Sequence, residues 1–185
     1  MDERSFRQEF EATFESMSGR AYYNFDPRTH LGKYNFNPHL PIWVGQDFNI
    51  NPMSTVVLQP QPNGEVWVVD EIFLHNANTA MVCDELERRY YRFMRQMTIY
   101  PDPGGQNRQS GRGESDLDIF RERGFKRIRY RKKHPPQADR VNSVNKMLMS
   151  ADGVMRLRIS ERCKHLSKSL LETMHLKDKY EIDKR

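Results

Sequence analysis

Cysteine is almost missing from this chain: Cys83 and Cys163 are the only two among 185 residues. Neither belongs to a CxxC or a Cys/His spacing, which argues against a zinc site and against a disulfide framework. Each lies in an apolar helical pattern and reads as a buried free thiol of a reducing cytoplasm. No apolar stretch of about 18 residues occurs, nor a signal-peptide pattern, so neither a membrane span nor secretion is expected. A phosphate loop of the form Gly-x-x-x-x-Gly-Lys is also lacking, which argues against ATP hydrolysis by these residues. His30, His39, His75, His134, His165 and His175 show no ligand spacing and read as surface residues. No internal repeat is present.

Aromatic and charged residues are plentiful instead. Charged residues make up 30% and hydrophobic ones 37%, but 10 Phe, 8 Tyr and 2 Trp argue against general disorder. The length suits one domain with a real core. Residues 5–17 place Phe6, Phe10, Phe14 and Met17 at helical spacing, with Gly19 as a stop. Residues 21–41 are aromatic but broken by Pro27, Pro38 and Pro41, and read as an ordered connector. Three strands follow at 42–48, 53–59 and 65–74, and Asn63-Gly64 marks a hairpin, so this part of the sheet is antiparallel. The nearly unbroken apolar run 66–73 implies a central strand buried on both faces.

A helix over 79–94, with Val82, Leu86, Tyr90 and Phe93 on one face, leads to a strand at 97–100. A helical crossover makes that strand parallel to its neighbour. Residues 104–115 contain no apolar side chain and read as a mobile loop. Then come a short helix, 116–123, a basic strand, 126–131, and a helix, 138–149. A strand at 154–159 is followed by a helix capped by Ser160 that buries Cys163, Leu166, Leu170 and Met174, and 180–182 reads as a further strand. The expected class is α/β: a mixed sheet, three antiparallel strands then parallel strands, flanked by helices.

Two aspartates stand where strands end. In GQDFNINP, residues 45–52, Asp47 follows the apolar run Ile42, Trp43, Val44; in YPDPGG, residues 100–105, Asp102 follows the strand 97–100. A carboxylate buried at such a place is costly unless hydrogen-bond donors or a cation compensate it, so each has either a structural partner or a metal. Two strand-end carboxylates suit hard ions such as Mg²⁺ and Mn²⁺, and two ions roughly 3.5–4 Å apart can clamp the attacking and leaving oxygens of a phosphodiester. Glu71 interrupts an apolar strand and is either salt-bridged or an outer ligand of the same site.

From residue 121 to residue 140 there are nine Lys or Arg against Glu122 and Asp139, a local balance of +7 in a chain of net +5. Strand alternation puts Arg127, Arg129 and Arg131 on one face, with Lys132 and Lys133 next and Arg140 in the following helix. A charge run is commonly a solvated face; this one is concentrated as phosphate binding requires, through backbone contacts indifferent to sequence.

The order of these features resembles the C-terminal nuclease domain of the large terminase subunit of tailed bacteriophages. The resemblance covers nearly the whole chain. It rests on Glu9, Phe10, Phe14, Gly19, Tyr22 and Phe25 in the lead-in, on GQDFN and YPDPGG, on Asp139-Arg140-Val141-Asn142 with Val144-Asn145, and on the closing helix 159–171.

What the resemblance implies is a ribonuclease H-like fold, with 41–185 as the nuclease domain and 1–40 as helix and connector from an upstream packaging ATPase domain. The activity would be endonucleolytic cutting of concatemeric double-stranded DNA in the host cytoplasm, with the small terminase subunit and the portal protein as partners. Asp47 and Asp102 would be catalytic and would bridge two Mg²⁺ or Mn²⁺ ions. The family's third metal aspartate, in a His-x-x-Asp-Ala pattern, has no match here; Asp183 is the late aspartate placed to stand in, the alternative being a ligand beyond Arg185. Two rival expectations are a non-catalytic DNA-binding module and a resolvase- or transposase-type nuclease on the same fold.

Overall fold

Alternation of apolar and polar residues in the middle of the chain builds the frame. A computed structural model describes residues 19–103 and 115–175. The helix expected at 5–17, the loop through 114 and the strand expected at 180–182 fall outside the described residues. The strands are β1 Leu31–Gly32, β2 Ile42–Asp47, β3 Met53–Pro60, β4 Val66–Leu74, β5 Met97–Pro101, β6 Arg127–Ile128 and β7 Leu157–Ser160. They form one seven-stranded sheet in the order β1-β7-β4-β3-β2-β5-β6. As expected, β2, β3 and β4 pair antiparallel and later strands pair parallel, β5 with β2, β6 with β5 and β7 with β4; β1, in a segment expected as connector, lies parallel to β7.

The β3–β4 hairpin turns where Asn63-Gly64 predicts. Gly64 takes φ +84, a left-handed conformation that strains any residue with a Cβ, and Asn63 Oδ1 accepts the Glu65 N–H at 3.1 Å. Further along the pair, the register shifts between Val57 and Leu58, so β4 carries one extra residue. Burial on both faces of β4 explains the nearly unbroken apolar run. Val69 packs with Ile42, Val44, Ile72, Val82 and Leu86 on one side of the sheet, and its neighbour Val68 packs with Phe25, Leu148 and Ile159 on the other.

Five helices are described: α1 Pro27–His30, α2 Thr79–Tyr90, α3 Asp116–Glu122, α4 Gln137–Leu148 and α5 Lys164–Glu172. Helices α2 and α3 supply Val82, Leu86 and Phe120 to the first cluster; α4 and α5 supply Leu148 and Leu170 to the second. Cys83 and Cys163 are buried free thiols, each pushed by burial up to about 12, and so inert at neutral pH. None of the described helices is long and apolar enough to cross a membrane.

Several local expectations change. The helix expected to reach residue 94 ends at Tyr90, and a tighter 3-10 turn, Tyr91–Gln96, follows. Tyr90 is anchored, its hydroxyl donating to Asp70 Oδ2 at 2.8 Å and its ring lying 5.1 Å from that of Phe36, so the chain tightens there to enter β5. The expected connector at 21–41 is built into the body: Ala21, Phe25 and His30 are buried and β1 joins the sheet. His30 is therefore a core residue, its Nε2 bonding the Leu148 carbonyl at 2.9 Å. Residues 19–40 contribute to both clusters, Phe25 and Leu31 to the second and Phe36 to the first.

Ser160 does not cap the last helix. It ends β7, and α5 begins at Lys164 with no side chain of its own segment as a cap. The cap comes from the sheet: Glu71 on β4 accepts the N–H of His165 through Oε1 and of Leu166 through Oε2, both at 2.9 Å. The first N–H groups of a helix have no intrahelical partner and carry partial positive charge, so a carboxylate is the complementary group. Both Glu71 oxygens are thus taken up at the start of α5, and among the described residues it forms no salt bridge. Substituting Glu71 by Ala should lower unfolding free energy in urea by about 1–2 kcal/mol, as loss of a helix cap does, while leaving Mn²⁺ affinity by titration calorimetry unchanged. A fall in Mn²⁺ affinity at unchanged stability would return Glu71 to the acid site.

Candidate active site

Parallel pairing of β2 with β5 brings the two predicted aspartates together. The register runs from Ile42 opposite Met97 to Gln46 opposite Pro101, and the Asp102 N–H extends it by donating to the Gln46 carbonyl at 2.8 Å. Asp47 and Asp102 are therefore the next positions on adjacent parallel strands, at their C-terminal ends, where α/β sheets place ligands. Alternation puts both on the face that carries Gly45 and Tyr100. All four line a cleft of about 470 Å³, with Ser54, His134 and Arg140 also in its wall. Gly45 keeps its floor low: a Cβ there would lie 3.0 Å from Val56 Cγ2.

Neighbouring polar groups hold the strand ends. Buried Gln46 points to the opposite face, where its Oε1 accepts the Thr55 hydroxyl at 2.5 Å and its Nε2 donates to the Asp47 carbonyl at 2.7 Å. Asn49 grips the Asp47 carboxylate from the following turn, through its N–H at 3.3 Å and its side-chain amide at 2.9 Å. Asp47 opens to solvent on one side, yet enclosure by the cleft raises its carboxyl above the ordinary range. The Asn49 backbone N–H offsets part of that, and the charge of Asp102 adds to it. Such a carboxylate gains from a neighbouring cation. Two hard oxygen donors on adjacent strand ends fit Mg²⁺ or Mn²⁺ in chemistry.

His134, expected at the surface, reaches the cleft, with Nε2 3.2 Å from Asp102 Oδ1. Its only sequence signal is position, directly after Arg131-Lys132-Lys133 and before Pro135. Gln46, Asn49 and Ser54 were likewise not legible as site residues, because their roles arise from pairing across strands. Among the described residues, no group of three or more His, Cys, Asp or Glu is arranged to hold a metal ion. Asp183, the candidate third acid, lies outside the described residues.

The basic segment departs from its expected strand. Pairing of β6 with β5 stops after Ile128, with a last bond from the Arg129 N–H to the Ile99 carbonyl at 2.8 Å. The next rung of a parallel ladder would take the N–H of residue 101, and Pro101 has none. Simple alternation across Arg127, Arg129 and Arg131 therefore fails beyond the second residue. The exposed chain turns back toward the acid cleft: Arg129 and Arg131 line a depression that shares Tyr100, Pro101 and Pro103 with it. Among the described residues no carboxylate pairs with Arg127 or Arg129 within 4.0 Å. Lys132 and Lys133 are exposed in the same turn, and Arg140 reaches the acid cleft from α4.

A mixed sheet of this order, flanked by helices, is a ribonuclease H-like fold. More narrowly, it is the fold of the nuclease domains of phage large terminases. The large terminase of a thermophilic bacteriophage, in complex with ADP, superposes with a TM-score of 0.70 at 15% identity, over 90% of this chain and 41% of that one. The P22 large terminase nuclease domain gives 0.66 at 13% identity, over 91% of this chain and 85% of that one. The nuclease domain of the bacteriophage SPP1 large terminase, with bound Mn, gives 0.55 at 16% identity, over 85% and 89%. This chain thus spans less than half of the thermophilic phage's terminase. No family model matches the sequence, and no curated protein matches it.

The raised Asp47 carboxyl has a consequence for stability. A group whose folded-state pKa is raised contributes stability that is present below its unfolded pKa and lost as pH rises through the folded one, so an ionised Asp47 carboxylate weighs against the native state unless a cation accompanies it. In calorimetry of metal-free protein at pH 7, Asp47→Asn should not lower the melting temperature, and it should remove the rise that Mn²⁺ gives the parent. A variant that melts lower and still responds to Mn²⁺ would make Asp47 a structural residue.

Proposed function

We propose that this chain is the nuclease part of a phage DNA-packaging terminase, a metal-dependent endonuclease acting on concatemeric double-stranded DNA. The observation that carries the proposal is the convergence of Asp47 and Asp102 at adjacent strand ends, within a fold shared with terminase nuclease domains. The SPP1 domain holds Mn. Here Asp47 and Asp102 would hold the divalent ions, Mg²⁺ or Mn²⁺ and two in number, with Asp183 or a later acid completing the set. Bound there, such ions supply hydroxide from water at neutral pH and neutralise charge on the leaving 3′ oxygen.

The chain's own residues do the positioning. Asn49 fixes the rotamer of Asp47, and His134 orients Asp102 from the opposite wall. Arg140, in the same cleft, presents a guanidinium to an incoming phosphate, which it can grip through two parallel N–H bonds. Arg127, Arg129 and Arg131, with Lys132 and Lys133, draw the duplex along the edge of the sheet by its phosphates. Low sequence selectivity follows, as expected of a nuclease positioned by an upstream ATPase domain, a small terminase subunit and the portal protein in the host cytoplasm. One observation favours a second reading: only two carboxylates converge among the described residues, as in a DNA-binding module without catalysis.

Digestion of supercoiled plasmid with Mn²⁺ separates these readings. The parent should nick and linearise it, and Asp47→Asn and Asp102→Asn should each slow nicking by about a hundredfold or more, the scale of losing a group that stabilises transition-state charge. Parental rates in both variants, at unchanged melting temperature, would remove the aspartates from catalysis.

The basic edge is tested by salt. Each phosphate contact contributes about 0.9 to the slope of log affinity against log salt for duplex DNA, so replacing Arg127, Arg129 and Arg131 by Ala should reduce that slope by roughly 2.7. Affinity should drop equally for unrelated duplexes. An unchanged slope in anisotropy titrations would take this edge out of the DNA path.

A further inference from the structure

The depression beside the acid cleft has a composition that phosphate binding does not explain. It measures about 350 Å³ and is lined by Tyr100, Pro101, Pro103, Arg129, Tyr130 and Arg131. Tyr100 and Tyr130 are 36% and 43% exposed, although tyrosine rings bury readily. Tyr100 is braced from the sheet by Trp43, whose ring meets it edge-on at 6.0 Å and 71°. Tyr130 is placed by the early end of β6, one residue past the Arg129 N–H that makes the last rung on β5. The result is two exposed phenol rings flanked by guanidinium groups and rigid proline backbone, continuous with the wall that carries Asp102.

In a duplex the base faces are covered by their neighbours, so rings beside a phosphate track have nothing to stack on. In a single strand each base has a free π-face, and aromatic side chains with arginines are how proteins hold it, with little regard to sequence. A guanidinium over a ring or base adds a cation–π attraction. We infer that this depression takes the base of an unpaired nucleotide, next to the phosphate that lies at Asp47 and Asp102. The inference rests on the proposed DNA path over the basic edge and names a specificity within it: a frayed or melted strand is gripped by Tyr130 and Tyr100, whereas intact duplex is held by phosphates alone.

The experiment uses the full chain without divalent metal, so that nothing is cut. The probes are a short single-stranded oligodeoxynucleotide carrying one 2-aminopurine and the same strand annealed to its complement. Binding of the single strand to the parent should quench the 2-aminopurine, because stacking on an aromatic ring quenches it. Tyr130→Ala should lose the quenching and weaken single-strand binding by about five- to tenfold, with duplex affinity unchanged. Tyr130→Phe, which keeps the ring and the surrounding packing, should behave as the parent.

Single-strand quenching and affinity that survive in Tyr130→Ala would overturn the inference, as would equal losses on single strand and duplex. A parent that binds both forms without quenching the probe also overturns it, leaving the phosphate path intact. If the parent binds neither form, the nucleic-acid reading itself has failed, and the stacking site with it.

Discussion

The backbone ladder between β2 and β5 is the constraint on which the site depends. Five residue pairs, from Ile42 with Met97 to Gln46 with Pro101, set the register, and the Asp102 N–H on the Gln46 carbonyl carries it one residue past the strand. A slip by one residue would send the Asp102 side chain to the other face of the sheet, toward the layer of α2 and α3. The crossover through α2 makes such a slip costly. Met97 and Ile99 on β5 would leave a core in which both are now fully buried with Val44, Leu86 and Phe120. Hydrophobic burial on one face thus fixes where two carboxylates meet on the other.

Placing like charges side by side works against folding, and the surroundings temper it unevenly. Asn49 donates to Asp47, and His134 stands beside Asp102. Elsewhere the acids of the sheet are fully engaged. Asp70 takes the Tyr90 hydroxyl and Arg89, and Glu71 takes the first N–H groups of α5. The difference separates structural carboxylates, which have donors from the helices packed on the sheet, from the pair at the strand ends, which line a cleft that solution can enter. Basic residues cluster on the chain just after β6, close enough to the cleft for the two depressions to share a wall.

Much of this was legible in the sequence because it is local. The three antiparallel strands follow from alternation and from Asn63-Gly64, and β5 follows from a helical crossover between apolar runs. Asp47 and Asp102 stood out because a carboxylate closes each of two strands. What escaped depends on partners far along the chain. β1 has only two residues, too few for any period, and exists because β7 offers it an edge. His30 is buried because Leu148, more than a hundred residues on, presents a carbonyl to it. Glu71 was readable, beside Asp70, as an acid interrupting an apolar strand, but nothing local says that a helix lacking its own cap will start above it. The alternation Arg127, Ile128, Arg129, Tyr130, Arg131 suggested a longer strand, and it was the partner strand that cut it short.

That cut at Pro101 also bears on how the molecule meets other proteins. A parallel edge strand with its polar groups free is a template for another chain, and long, regular edges invite association. Here the outer margin of the sheet is two residues long, crowded with like charges, and faces a proline that offers no further donor. The edge is closed to strand addition by the same residue that releases the arginines from it. The sheet thus keeps a basic margin that gives another strand almost no ladder to pair with.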